Sequence, residues 1–129
     1  MILDTSALMA ILREEEEASG FTLALLEART VSISAATLVE AGMVAESRGG
    51  PEARVRLDAL LSEVGPRVVP VTADQAALAL DGWRRFGKGR HRAKLNLGDC
   101  FAYALAKASG EPLLFKGDDF AHTDVQRAV

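Results

Sequence analysis

The sequence predicts an α/β fold in which a central, mostly parallel sheet of four to five strands lies between layers of helices, and three observations carry that prediction. Short aliphatic or β-branched runs alternate with longer stretches whose apolar residues recur at helical spacing. Gly, Pro or a capping residue separates most of these stretches from the next. The hydrophobic share is 49% but the aromatic share only 5%, so Ala, Leu and Val supply most of the core. That composition favours helices packed closely on a small sheet over an all-β sandwich.

Met1 to Leu3 predicts a very short first strand, Asp4-Thr5-Ser6 a polar turn, and Ala7, Leu8, Ile11 and Leu12 a first helix. Glu14 to Glu17 precede Phe21, Leu23, Leu25 and Leu26 and read as the solvated first turn of a second helix, where acids suit the dipole. Thr30 to Ser34 alternates as a strand, with Ser34 capping a helix over Ala35 to Ser47. Gly49-Gly50-Pro51 breaks the chain before an amphipathic helix from Glu52 to Val64, which Gly65-Pro66 stops. Arg67 to Val71 is the third strand, and Thr72 caps a helix through Trp83. A polar connection from Phe86 to Asn96 leads to a helix over Leu97 to Ser109, a strand over Pro112 to Phe115 and a turn at Gly117 to Phe120. An edge strand near Asp124 to Gln126 is expected last. With no repeat, linker or low-complexity tract, residues 1–129 read as a single domain.

Fifteen Lys and Arg against 18 Asp and Glu give a formal charge of −3, which excludes a protein that coats nucleic acid by overall positive charge. The basic residues are uneven, however. Arg84, Arg85, Lys88, Arg90, Arg92 and Lys94 fall in one stretch with no acid among them, a candidate phosphate-holding segment whose plain alternative is a flexible solvated loop. Trp83 and Phe86 flank it; their spacing with Ala79 and Leu80 favours core packing over stacking on a base. Cys100 is the only cysteine, which rules out an internal disulfide and a Cys/His zinc site, and it reads as a small buried residue rather than a nucleophile. His91 and His122 are isolated and expected to be exposed. Without a leader-like start or a run of about 18 uncharged apolar residues, a cytoplasmic protein outside the membrane is expected.

The acidic residues carry the chemistry. Asp4 directly follows the first strand, where it either caps the next helix or stands at the ligand-binding end of a parallel sheet. Glu40 is the only charge between Ala35 and Ala45, and an unpaired carboxylate on so apolar a helix costs several kcal/mol, roughly, unless a metal or an arginine partners it. Asp99 opens the apolar helix Leu97 to Ala106, where an acid also compensates the dipole. Asp118 and Asp119 follow the apolar run Leu113 to Phe115 in a Gly-Asp-Asp turn. Together these groups suit Mg²⁺ or Mn²⁺ rather than softer metals, and a divalent ion there would activate water against a phosphodiester.

Four blocks, Asp4-Thr5-Ser6-Ala7-Leu8, Thr37-Leu38-Val39-Glu40-Ala41, Asn96-Leu97-Gly98-Asp99-Cys100-Phe101-Ala102-Tyr103 and Leu113-Leu114-Phe115-Lys116-Gly117-Asp118-Asp119-Phe120, resemble those of PIN domains. The likeness is nearest to VapC-type toxins of type II toxin–antitoxin systems. The resemblance implies a metal-dependent ribonuclease of PIN-like three-layer α/β/α form that cuts structured RNA, tRNA or rRNA, and so inhibits translation and growth. It matches Asp4, Glu40 and Asp99 to the acidic metal positions, with Asp4 and Asp99 as direct ligands. The fourth acid is Asp119 in preference to Asp118, and Thr5 or Ser6 orients water or a carboxylate. It further implies a homodimer and a VapB-like antitoxin whose C-terminal segment fills the active-site groove, in a heterotetramer or larger complex. Two other readings of the acids remain: a non-catalytic RNA-binding or regulatory module, and a receiver-like phosphoryl-transfer domain, which the lone Asp4 disfavours.

Overall fold

The structure is a computed structural model that describes residues 1–129. Four strands, β1 (Ile2–Leu3), β2 (Ser32–Ser34), β3 (Arg67–Val69) and β4 (Leu113–Leu114), form one sheet in the order β3-β2-β1-β4, every pairing parallel. The helices are α1 (Thr5–Leu12), α2 (Ala18–Glu27), α3 (Ala35–Val64), α4 (Ala73–Phe86) and α5 (Leu97–Ser109). None is long and apolar enough to cross a membrane.

Strand periodicity divides the core in two. Ile2, Leu113 and Phe115 point to one face, where they pack with Tyr103, Leu105 and Phe86 of α5 and α4. Leu3, Leu114 and Ile33 point to the other, against Leu8, Phe21, Leu25 and Leu57 of α1, α2 and α3. Being covered on both faces explains why β1 and β4 read as continuous apolar runs, whereas β2 and β3 do not.

The connectivity fixes where a site can form. From β1 the chain adds β2 and then β3 outward on one side, whereas β4 returns to the other side of β1. The order thus reverses between β1 and β4, and in parallel sheets a crevice opens at the carboxyl ends of such strands. Asp4 and Lys116 stand there.

Local chemistry accounts for most boundaries. Ser34, Thr72 and Asn96 each accept a hydrogen bond from a backbone N–H in the first turn of the helix that follows. The expected break at Gly49-Gly50-Pro51 is a kink: Gly50 adopts φ 72°, ψ −168°, and the helical path changes direction there within α3. The glutamate run is not the first turn of α2 as the sequence suggests. Glu14 takes the left-handed conformation (φ 53°) just past the end of α1, and Glu17 is only the N-cap residue of α2. Those acids are held in a turn by a partner remote in sequence, Lys116, which ion-pairs with Glu15 and Glu17. At the C-terminus, the expected edge strand contracts to one parallel bridge between Arg127 and Leu113, with backbone bonds of 2.8 and 2.9 Å flanking it.

The polar connection is more ordered than its composition suggests. Arg84 and Arg85 lie in α4, which continues to Phe86, rather than in the loop. The loop is closed by Lys88 N–H to Leu95 O and Leu95 N–H to Phe86 O, both 2.9 Å, and it buries Ala93 and Leu95 completely.

Candidate active site

A cleft of about 400 Å³ at the crevice is lined by Asp4, Thr5, Ser6, Glu40, Asn96 and Asp99, with Arg13, Glu15, Arg48 and Lys116 around it. Three of the predicted acids, from β1, α3 and α5, therefore meet in one place.

Asp4 resolves its two sequence readings by dividing its oxygens between them. Oδ2 accepts from Ser6 N (2.9 Å) and Ser6 Oγ (2.6 Å), which caps α1. Oδ1 is buried with no hydrogen-bond partner at all. Burial raises the carboxyl to about 6, aided by the charge of Glu40 and opposed by the Ser6 bonds. Ser6 Oγ also accepts from the Lys116 N–H at 3.0 Å, so the end of β4 is tied to the Asp4 carboxylate through one hydroxyl.

Asp99 likewise caps the helix it opens. Its Oδ2 accepts from Asn96 N (3.0 Å) while Asn96 Oδ1 accepts from Asp99 N (2.9 Å), a reciprocal capping box at the start of α5. Burial, with repulsion from Asp4, Glu40 and Asp119, nevertheless lifts its carboxyl to about 7.

Glu40 is half-buried and forms no ion pair, so the arginine alternative is not realised. Its Oε1 accepts from Thr5 Oγ1 at 2.6 Å. The helix around it is not buried all round, as its composition suggests, since Val39 and Met43 are 62% and 67% exposed. Glu40 faces inward, toward Thr5 on α1 and Gly98 on α5. Asp118 and Asp119 are both exposed and outside the cleft lining. The charge of Asp119 contributes to raising the Asp99 carboxyl, after burial, Asp4 and Glu40.

As the side chains stand, no three carboxylate, histidine or cysteine groups close to a metal-ligating cluster. The donor set still fits a hard cation: all its members are oxygens, two carboxyls are pushed toward protonation by burial and, to a lesser degree, by neighbouring carboxylates, and one buried oxygen lacks any donor.

The six basic residues expected beside the acids line none of this cleft. Arg85 is engaged with Asp81, Asp124 and the Tyr103 hydroxyl, and Arg90 lies over the Trp83 ring at 4.7 Å. Lys88 borders a neighbouring apolar hollow, and Arg84, Arg92 and Lys94 are exposed. Phe86 is core, against Tyr103 and His91, but Trp83 is 41% exposed under Arg90. His91 is half-buried, its Nδ1 accepting from Ala93 N, rather than exposed; His122 is exposed. Cys100 is buried, with its thiol pushed up to about 11, and is inert. The sequence reading missed Arg13, Glu15, Arg48, Asn96 and Lys116; only Asn96, as an N-cap preceding Asp99, carried a readable local signal.

This fold is shared with known ribonucleases. The PIN domain family matches residues 1–126. The chain is 48% identical to ribonuclease VapC30 of Mycobacterium tuberculosis, covering 97% of this chain and 95% of that protein. It is 50% identical to ribonuclease VapC of Mycolicibacterium smegmatis, covering 97% of each. In structure it is similar to VapC20 of Mycobacterium tuberculosis, a Sarcin-Ricin loop cleaving toxin (TM-score 0.77, 21% identity, 96% of this chain and 95% of that one). It is also similar to VapBC-5 of the same organism, a member of the VapBC family of toxin-antitoxin systems (TM-score 0.65, 25% identity, 99% and 93%). The chain belongs to the PIN-domain family. Within it, the extent of identity to VapC ribonucleases makes it a ribonuclease toxin of the VapC type.

Proposed function

We propose that this ribonuclease is Mg²⁺-dependent, with Mn²⁺ able to substitute, and that Asp4, Glu40, Asp99 and Asp119 are the carboxylates of its centre. The observation that carries this reading is Asp4 Oδ1, a buried carboxylate oxygen with no protein donor, in a cleft whose acids repel one another. Asp4 and Asp99 would hold the cation directly. When bound, it would supply an activated water and steady the negative charge that grows on the phosphodiester.

The protein's own groups set the geometry. Ser6 pins Oδ2 of Asp4 and leaves Oδ1 without a donor, and the Asn96 N–H fixes Oδ2 of Asp99. Thr5 holds one oxygen of Glu40, which orients the other toward α5. Hydroxyl and amide donors in these roles keep the carboxylates in place without adding positive charge that would compete with the cation.

The substrate is a structured RNA, tRNA or rRNA, cut in a single-stranded or loop region in the cytoplasm, with arrest of translation and growth as the consequence. A VapB-like antitoxin neutralises the toxin by laying a C-terminal segment in the cleft, an arginine meeting the carboxylates. The chain works as one domain and as a homodimer, in heterotetramers or larger assemblies with antitoxin. The outward apolar side chains Leu26, Val39, Met43 and Leu97 are in keeping with association.

The test is sequencing of RNA 5′ ends after brief induction, beside an Asp4→Ala control. A discrete set of new ends confined to the unmodified protein is expected. Undiminished cleavage by purified Asp4→Ala or Asp99→Asn in excess Mg²⁺ would sink the assignment.

A further inference from the structure

The acidic cleft does not end at the carboxylates. A second hollow of about 130 Å³ shares Met9, Arg13, Val44 and Arg48 with it and extends past the kink of α3 to Arg56. Its apolar lining and its three guanidinium groups contrast with the oxygen-rich centre beside it.

These arginines are poorly neutralised. Arg13 meets a carboxylate only at 3.8 Å, and that carboxylate, Glu15, is already paired with Lys116. Neither Arg48 nor Arg56 forms an ion pair; the one bond of Arg56 goes to the Leu12 carbonyl at 3.1 Å. Arg54, Arg85 and Lys107 are each matched by an acid elsewhere on the surface, and of the unmatched cations it is Arg48 and Arg56 that line the cleft or the hollow continuous with it. In a chain of formal charge −3, three unspent guanidiniums leading from the reactive centre form a local attraction for phosphate.

We propose that Arg13 and Arg48, with Arg56 beyond them, are the track along which the RNA strand runs out of the cleft, each guanidinium holding a backbone phosphate, while the Trp83–Lys94 segment, which lines neither the cleft nor the hollow, lies off that track. The proposal deepens the reading of the cleft as the ribonuclease centre and rests on it. Met9 and Val44 form an apolar floor against which riboses and base faces lie, and the arginines form the rim. The contacts are to the backbone, so they position the strand without selecting its sequence.

The experiment is equilibrium binding of a labelled single-stranded RNA to full-length Asp99→Asn protein between 50 and 200 mM KCl. The same measurement is made with Arg13→Ala/Arg48→Ala and, separately, Arg90→Ala/Arg92→Ala added. Loss of two phosphate contacts lowers the slope of log affinity against log salt by about 1.4, at about 0.7 per contact for single strands. That drop is expected for the first pair and no drop for the second, with far-UV circular dichroism unchanged in both. A slope unaffected by Arg13→Ala/Arg48→Ala, or lowered only by the second pair, overturns the proposal. So does an unaffected RNA slope accompanied by lost binding of an acidic peptide. Because no cleavage is measured, failure of the catalytic assignment would show separately, in Asp4→Ala activity.

Discussion

Gly98 lies directly beneath the Glu40 carboxylate: a β-carbon built on Gly98 would overlap Oε2 and come within 3.0 Å of Oε1. The hydrogen atom at this position lets an acid from the middle of one helix rest on the first turn of another. Gly98→Ala is therefore expected to push Glu40 out of the cleft. Misplacement by about 1 Å at a reacting centre costs on the order of 100-fold in rate. Because the displaced group is the mobile end of a side chain, the fold persists. RNA cleavage rate and thermal melting of the same preparation check this; wild-type activity in Gly98→Ala would show that the position of Glu40 is immaterial.

Thr5 is the other half of that placement, its hydroxyl donating to Glu40 Oε1 at 2.6 Å. Removing a hydrogen bond that orients a metal-site group typically costs about 10–100-fold. Thr5→Val should fall in that range while Thr5→Ser, which keeps the donor, stays near wild type. The pair is compared by kcat and by the Mg²⁺ concentration giving half activity. Equal losses in both variants would mean that the methyl packing of Thr5 matters and the hydroxyl does not.

Of the two acids of the Gly-Asp-Asp turn, Asp119 is the one whose charge stands among the main causes raising the Asp99 carboxyl, after burial, Asp4 and Glu40. Fewer carboxylates weaken a site for a hard cation. Asp119→Asn is expected to raise the Mg²⁺ requirement roughly tenfold, whereas Asp118→Asn, an exposed change, stays within about twofold. Mg²⁺ titrations of RNA cleavage decide it. The reverse ranking would move the fourth acid to Asp118.

What the residues disclosed in advance follows from how locally each feature is determined. Asp4, Glu40 and Asp99 were legible because each stands alone beside an apolar strand or in an apolar helix, where a charge is expensive. The capping residues Ser34 and Thr72 and the Gly50 kink were legible because their effect reaches only a few residues. Arg48 and Lys116 were not, since their roles depend on chain crossings: Lys116 meets Glu15 across 101 residues, and Arg48 joins Arg13 only because α3 packs on α1. The same distance misled the reading of Glu14 to Glu17, whose organising partner lies in the last block of the sequence. The basic segment after Trp83 drew attention by composition, yet composition does not report which way a loop faces, and its residues line none of the acidic cleft.

The raised carboxyls of the cleft also dictate how stability varies with pH. Asp4 at about 6 and Asp99 at about 7 bind protons more tightly in the folded chain than their ordinary value of 3.8. Between roughly pH 4 and 7 the folded state therefore holds more protons than the unfolded one, and stability falls as pH rises. The contribution is complete below the unfolded value and is lost by the time pH has passed the folded values. Between pH 5 and 8 that is about one pH unit for Asp4 and two for Asp99, so at 1.36 kcal/mol per unit the loss is on the order of 4 kcal/mol before the interaction of the two sites reduces it. Glu15 and Asp124 are shifted downward, so their contribution is already complete above about pH 5 and does not mask the trend. Metal-free protein should thus melt lower at pH 8 than at pH 5, by on the order of 10 °C. Mg²⁺, which binds the ionised carboxylates, should restore more stability at pH 8 than at pH 5. Asp99→Asn removes one of the charges, and without metal it should melt above wild type at pH 8 while gaining little from Mg²⁺. Differential scanning calorimetry across this pH range, with EDTA and with Mg²⁺, measures all three. If metal-free melting rises steadily from pH 5 to 8, the cleft carboxylates are not under the mutual strain that makes a cation their natural counterion.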